Sequence, residues 1–190
     1  GKSRQRGESA TVGGNAGTLA RMPGTEQVPV SVSDVDIAAA VAREAEGMEE
    51  LLCRLVETPT TLGNEEPGQR IMAEACAGVG LEPVDVPMEA EVLRAHPLAA
   101  PFTWSVEAKR NVVATWHAVG EGGGRSLVLN GHVDVVPPAA ESLWTRAPFS
   151  ATRDGEWLVG LGSGDMKGGL AAIVGAVRGL VGHDGLDHAV

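Results

Sequence analysis

Ser126-Leu127-Val128-Leu129-Asn130-Gly131-His132-Val133-Asp134 is the stretch whose reading decides the fold. Its first half is a nearly continuous apolar run, the pattern of a short strand covered on both faces. Upstream, Asn111-Val112-Val113-Ala114-Thr115-Trp116 reads as a neighbouring strand, joined to it across the Gly-rich turn Glu121-Gly122-Gly123-Gly124. Leu81 to Val86 and Trp157-Leu158-Val159 read as two further short strands. Helical spacing appears on either side of them. Ser33 and Asp36 form a capping box with Asp in the usual Glu place, and Ile37, Val41, Met48, Leu51, Leu52, Leu55 and Val56 then repeat on one face until Pro59 stops the helix. A second helix is expected with Asn64 as cap, Pro67 in its first turn and Ile71, Met72, Ala75 and Cys76 inward, ending at Gly78. A third, Leu170 to Leu180, is rich in Gly and Ala and suited to packing closely on a sheet. Residues 87–108 read as irregular and Pro-punctuated. Helices alternating with short strands give an α/β layer architecture over residues 33–190, preceded by a tail at 1–32 with too little apolar surface to offset the entropy of ordering.

Composition narrows the possibilities. With 190 residues, 43% of them hydrophobic and 21% charged, the chain has enough apolar surface for one real core. The net charge of −10 opposes a partnership with duplex nucleic acid or an anionic membrane. Most of that charge lies in 33–91, where fourteen acidic residues face three basic ones, the composition of a solvated helix surface. Cys53 and Cys76 are too few for a disulfide framework and fall on apolar helix faces, so they read as small buried hydrophobes in a reducing, cytoplasmic compartment. The longest apolar run, Leu170 to Val177, is far short of the ~20 residues that span a bilayer. No signal-peptide pattern is present near Gly1.

Two segments carry chemistry. On extended backbone, residues i and i+2 project to the same side, so His132 and Asp134 are neighbours at a strand end. A carboxylate beside an imidazole either holds the ring for metal binding through its other nitrogen, forms a base dyad, or is a plain surface pair. The other segment, Gly160-Leu161-Gly162-Ser163-Gly164-Asp165-Met166-Lys167-Gly168-Gly169, precedes the Leu170 helix. A helix N-terminus there favours an ionised Asp165, whose two oxygens can bridge two divalent cations. A phosphate-binding loop fails on spacing, since no Gly-Lys-Ser/Thr follows at the required offset. Lys167 reads either as a contact for a substrate carboxylate or as a solvent-facing first-turn lysine. His96, His117, His183 and His188 read as solvated side chains.

Together these segments resemble the metal-dependent aminoacylase/deacylase and carboxypeptidase family, the M20-type peptidases, which includes acetylornithine deacetylase and succinyl-diaminopimelate desuccinylase. The resemblance extends through Trp144-Thr145-Arg146-Ala147-Pro148-Phe149 and Asp154-Gly155, and back to Arg110-Asn111-Val112-Val113-Ala114 and Leu55-Val56-Glu57-Thr58-Pro59-Thr60. It implies a zinc-hydrolase-type mixed sheet flanked by helices, of which this chain is the N-terminal half without the lid and dimerisation domain. It further implies that His132 is a zinc ligand, that Asp134 is the catalytic carboxylate orienting it, and that Asp165 bridges two zincs and is followed by a cis peptide bond. Where the family commonly has Arg, this chain has Leu161. The implied reaction is hydrolysis of a linear amide in an N-acyl amino acid, or in a short peptide if the enzyme is a carboxypeptidase or dipeptidase. Zinc is the implied cofactor, with cobalt or manganese as substitutes, and a homodimer is expected only with the lid domain.

The same resemblance implies a Glu-Glu pair after Asp165, the first as general base and the second as ligand. Here only Asp184 and Asp187 follow, and Glu49-Glu50 and Glu65-Glu66 precede the metal segments. The chain is therefore expected to be the N-terminal part of a longer enzyme, inactive alone, or else a non-catalytic protein retaining the fold. An in-frame stop after Val190 would overturn the first of these.

Overall fold

A computed structural model describes residues 33–117 and 126–181. The expected tail at 1–32, the turn at 121–124 and the residues after Val181 lie outside them. Helix α1 runs Asp34–Glu57, and its capping box is present as expected, with Ser33 Oγ accepting from the Asp36 amide and the Asp36 carboxylate accepting from the Ser33 amide. Helix α2 spans Glu66–Gly78 with Pro67 in its first turn. Its cap differs from the expectation: Glu65 holds the position without a side-chain cap bond, while the Asn64 side-chain Nδ2 donates to the Pro59 carbonyl at 2.5 Å.

Strand β1 (Pro83–Pro87) pairs antiparallel with β2 (Arg110–Ala114), Pro83 opposite Ala114 and Pro87 opposite Arg110. Between them the stretch expected to be irregular contains a short helix, α3 (Ala90–Ala95). A second ladder joins β3 (Thr152–Asp154) to β4 (Trp157–Val159) across Gly155. Helix α4 (Gly168–Val181) follows a wide turn, Ser163–Lys167. Helices and small antiparallel ladders thus make up the described residues, with one isolated parallel bridge between Thr61 and Val135.

Two expectations about the sheet are corrected. Residues 126–130 form no strand, and Leu127 and Val128 are 79% and 84% exposed. An apolar run becomes a strand only where another backbone offers its N–H and C=O groups, and among the described residues none does so here. For the same reason β2 ladders with β1 rather than with that run. Helix α4, expected against a sheet, packs instead along α1. Gly175 makes this possible, because a Cβ there would overlap the Met48 thioether. Leu51 and Leu55 of α1, Met72 and Ala75 of α2, Val133, and Leu170, Ala171 and Val174 of α4 close the core. Arg153 of β3 ties the second ladder to α1 through both oxygens of Glu49, at 2.6 and 2.8 Å.

Candidate metal centre

The site is built on two backbone segments. From Gly131 to Val135 the chain is extended and alternates strictly, Val133 and Val135 buried at 5% and 6% while His132 and Asp134 face outward. This is the same-side placement the i, i+2 spacing predicts. Thr60 grips the segment from beneath: its hydroxyl donates to the Val133 carbonyl at 2.5 Å, and its carbonyl accepts from the Val135 amide at 2.9 Å.

Asp165 sits on the wide turn rather than at a regular helix start, with non-helical backbone at Asp165 and Met166, and its carboxylate is 91% exposed. The Asp165–Met166 bond is cis, as the resemblance implies. Gly162 enters the turn at φ +80°, in the left-handed region, and a Cβ on it would collide with Val135. The backbone of the turn therefore lies directly against the Val135 side chain of the other segment.

Between them stands His132. Its Nδ1 lies 3.0 Å from the carbonyl oxygen of Asp134 and 3.4 Å from that residue's carboxylate, so the main chain makes the shorter contact with the ring where the side chain was expected to. Its Nε2 lies 3.1 Å from Asp165 Oδ1. Both neighbours of the ring, the Asp134 carbonyl and the Asp165 carboxylate, are acceptors; in the tautomer that donates from Nδ1 to the carbonyl, Nε2 turns a lone pair toward the carboxylate. Two acceptors so placed repel unless a proton or a metal ion lies between them. Two donor atoms that share one tetrahedral zinc, each about 2.0–2.2 Å from it, stand roughly 3.3 Å apart. The donor types and their spacing fit a divalent ion. Among the described residues no third His, Cys, Asp or Glu joins this pair.

Other candidates are engaged elsewhere. Glu49 pairs with Arg153, Glu65 with Lys109 and Glu66 with Arg70 and Arg110, so these three acids are engaged elsewhere. His96 Nδ1 accepts from the Leu98 amide within its own turn, and His117 is exposed. His183, Asp184, Asp187 and His188 lie outside the described residues. Leu161, half-buried, donates its amide to the Pro148 carbonyl at 2.7 Å. Cys53 and Cys76 are free and half-buried, and burial pushes both thiols above their ordinary pKa, which suits small hydrophobes and not nucleophiles.

Lys167 departs from both sequence readings. It is completely buried, and its Nζ donates to the carbonyls of Leu55 at 2.7 Å and Thr58 at 3.0 Å, at the C-terminus of α1. Desolvation lowers its pKa to about 8. The signal that would have found it is the end of α1, where the last carbonyls need donors. Thr60 was missed too, because one hydroxyl after a proline carries no periodicity.

Residues 128–188 match peptidase family M20/M25/M40. Those residues resemble an M20-type segment. Similar proteins include the succinyl-diaminopimelate desuccinylase of Paracoccus denitrificans, 43% identical over 75 residues, which are 40% of this chain and 19% of that one. The desuccinylase of Buchnera aphidicola is 51% identical over 61 residues, 32% of this chain and 16% of that protein. That of Coxiella burnetii is 32% identical over 133 residues, covering 69% of this chain and 29% of the relative. The chain thus spans less than a third of the length of these curated relatives. Both candidate donors, His132 and Asp165, fall inside the M20-type segment. No helix among the described residues is long and apolar enough to cross a membrane.

Proposed function

We propose that this chain supplies the first two donors of a divalent-metal site in an amide hydrolase of zinc-hydrolase architecture, and that the protein cleaves the acyl group from an N-acyl amino acid. The observation that carries this reading is His132 Nε2 facing Asp165 Oδ1 at 3.1 Å while Nδ1 is engaged by Asp134. Zinc is the ion that the donor types suit best, with cobalt or manganese able to replace it. When bound, such an ion supplies Lewis-acid polarisation of the amide carbonyl and acidifies water. His132 would hold the ion through Nε2, and Asp134 would fix the ring by accepting from Nδ1, which would also raise the ring's basicity. Asp165, almost wholly exposed, has a second carboxylate oxygen that could help to hold a further ion. In the overall reaction the water oxygen bonds to the acyl carbon, the C–N bond breaks and the amine leaves with a proton.

The names of the relatives support an N-succinyl diamino acid as the substrate class. The test is His132→Ala in the protein, with zinc content and release of carboxylate from N-succinyl and N-acetyl amino acids both measured. Both are expected to fall to background, and unchanged turnover overturns the assignment. The family description favours a second reading, a carboxypeptidase or dipeptidase. A panel of dipeptides against N-acyl amino acids separates the two by which set is turned over.

A further inference from the structure

Among the described residues, three of the four largest fully buried side chains lie outside the apolar core cluster. The four are Leu55, Val56, Thr60 and Lys167, each at or close to complete burial. All four lie where the end of α1 and the residues after it meet the two segments of the site. Thr60 holds the His132 segment by two hydrogen bonds, at Val133 and Val135, the residues flanking Asp134. Lys167, two residues beyond Asp165, is held by the carbonyls of Leu55 and Thr58. Val56 fills the space over Gly160, at the entry to the Asp165 turn, where a Cβ would overlap it. A single six-residue stretch, 55–60, therefore grips both halves of the site from the side away from solvent.

We infer that Thr60 and Lys167 are positioning residues: through the shared stretch 55–60 they set the separation between His132 Nε2 and Asp165 Oδ1. Neither touches a reacting atom. Outer groups of this kind typically change metal affinity 10- to 100-fold when removed, because a ligand pair held loosely must be ordered at the moment of binding. The inference rests on the metal-site reading above, and its test separates the two.

Thr60→Val keeps the shape of the side chain and removes the donor, Thr60→Ser keeps the donor, and Lys167→Met keeps the length without the ammonium. Val106→Ala, at a buried residue outside the core cluster, serves as the control for general loss of stability. Two measurements are made on each folded protein: the nitrogen chemical shifts of the His132 ring without metal, and the affinity for Co²⁺ alone, followed by its visible absorption. Thr60→Val and Lys167→Met are expected to move the ring shifts and weaken Co²⁺ binding by roughly tenfold or more, with Thr60→Ser close to the parent and Val106→Ala unchanged in both. Should Lys167→Met not fold, the near-isosteric Thr60→Val decides the matter. Parent-like shifts and affinity in Thr60→Val, or equal changes in Val106→Ala, overturn the inference. If no protein binds Co²⁺ but Thr60→Val and a folded Lys167→Met move the ring shifts while Val106→Ala does not, the metal reading falls and the positioning role stands.

Discussion

Residues 126–130 and 131–135 are adjacent lengths of one extended chain, similar in composition and opposite in fate. The first has three apolar residues in a row and exposes all of them; the second has fewer, and buries Val133 and Val135. What separates them is a partner. Thr60 offers the second length a hydroxyl and a carbonyl, together with the neighbouring bridge at Thr61, while the first has no backbone beside it among the described residues. Hydrophobicity marks a candidate strand, and hydrogen-bond complementarity decides where it is anchored.

Mutations can break that contrast in graded steps. Val133→Asp places a carboxylate in the apolar core cluster and is expected to cost at least ~4 kcal/mol, or to prevent folding, measured by urea denaturation. Lys167 gives an effect of about 3 kcal/mol that depends on pH, at 1.36 kcal/mol per unit. Its pKa is about 8 in the folded chain against an ordinary lysine value of 10.5. Between those values the unfolded chain holds the proton and the folded chain does not, so stability from this group rises with pH from about 8 to 10.5. The buried thiols act in the opposite sense, so the quantity to compare is the slope of the parent minus that of Lys167→Met. The chain has no tyrosine to obscure that window.

Thr60→Val orphans the Val133 carbonyl and is expected to lose about 1–3 kcal/mol. Val128→Lys, at an 84% exposed position, should stay within about 0.5 kcal/mol. A loss comparable to that of Thr60→Val would mean that 126–130 is anchored after all. Hydrogen exchange sharpens the same contrast without mutation: the Val135 amide should be protected, and those of Leu127 to Leu129 should exchange freely.

Legibility in the sequence followed the same line. Repeating patterns were readable: the 3.6-residue spacing of α2 and of the second half of α1, the Ser33–Asp36 box, the Pro59 stop and the i, i+2 placement of His132 and Asp134 stand in the structure, while Ile37 and Val41, expected on the same apolar face of α1, are exposed. Single long-range bonds were not. Asn64 looked like a cap and is drawn to the Pro59 carbonyl; Lys167 looked like a surface or substrate-facing group and is buried under α1. The facing of His132 and Asp165 was legible only through resemblance, since nothing local in either segment encodes their approach across the fold. The exchange of roles at Asp134, main chain before side chain, could not be read because both groups sit on one residue.

The contact of Met48 with Gly175 has a consequence in another currency. The two helices meet where a sulfur lies against bare backbone, with no room for even one more carbon. Oxidation of that sulfur to the sulfoxide adds an oxygen and a dipole at the same point. Peroxide damage at Met48 would therefore act as a wedge between α1 and α4, loosening the frame beneath a site whose own residues it never touches.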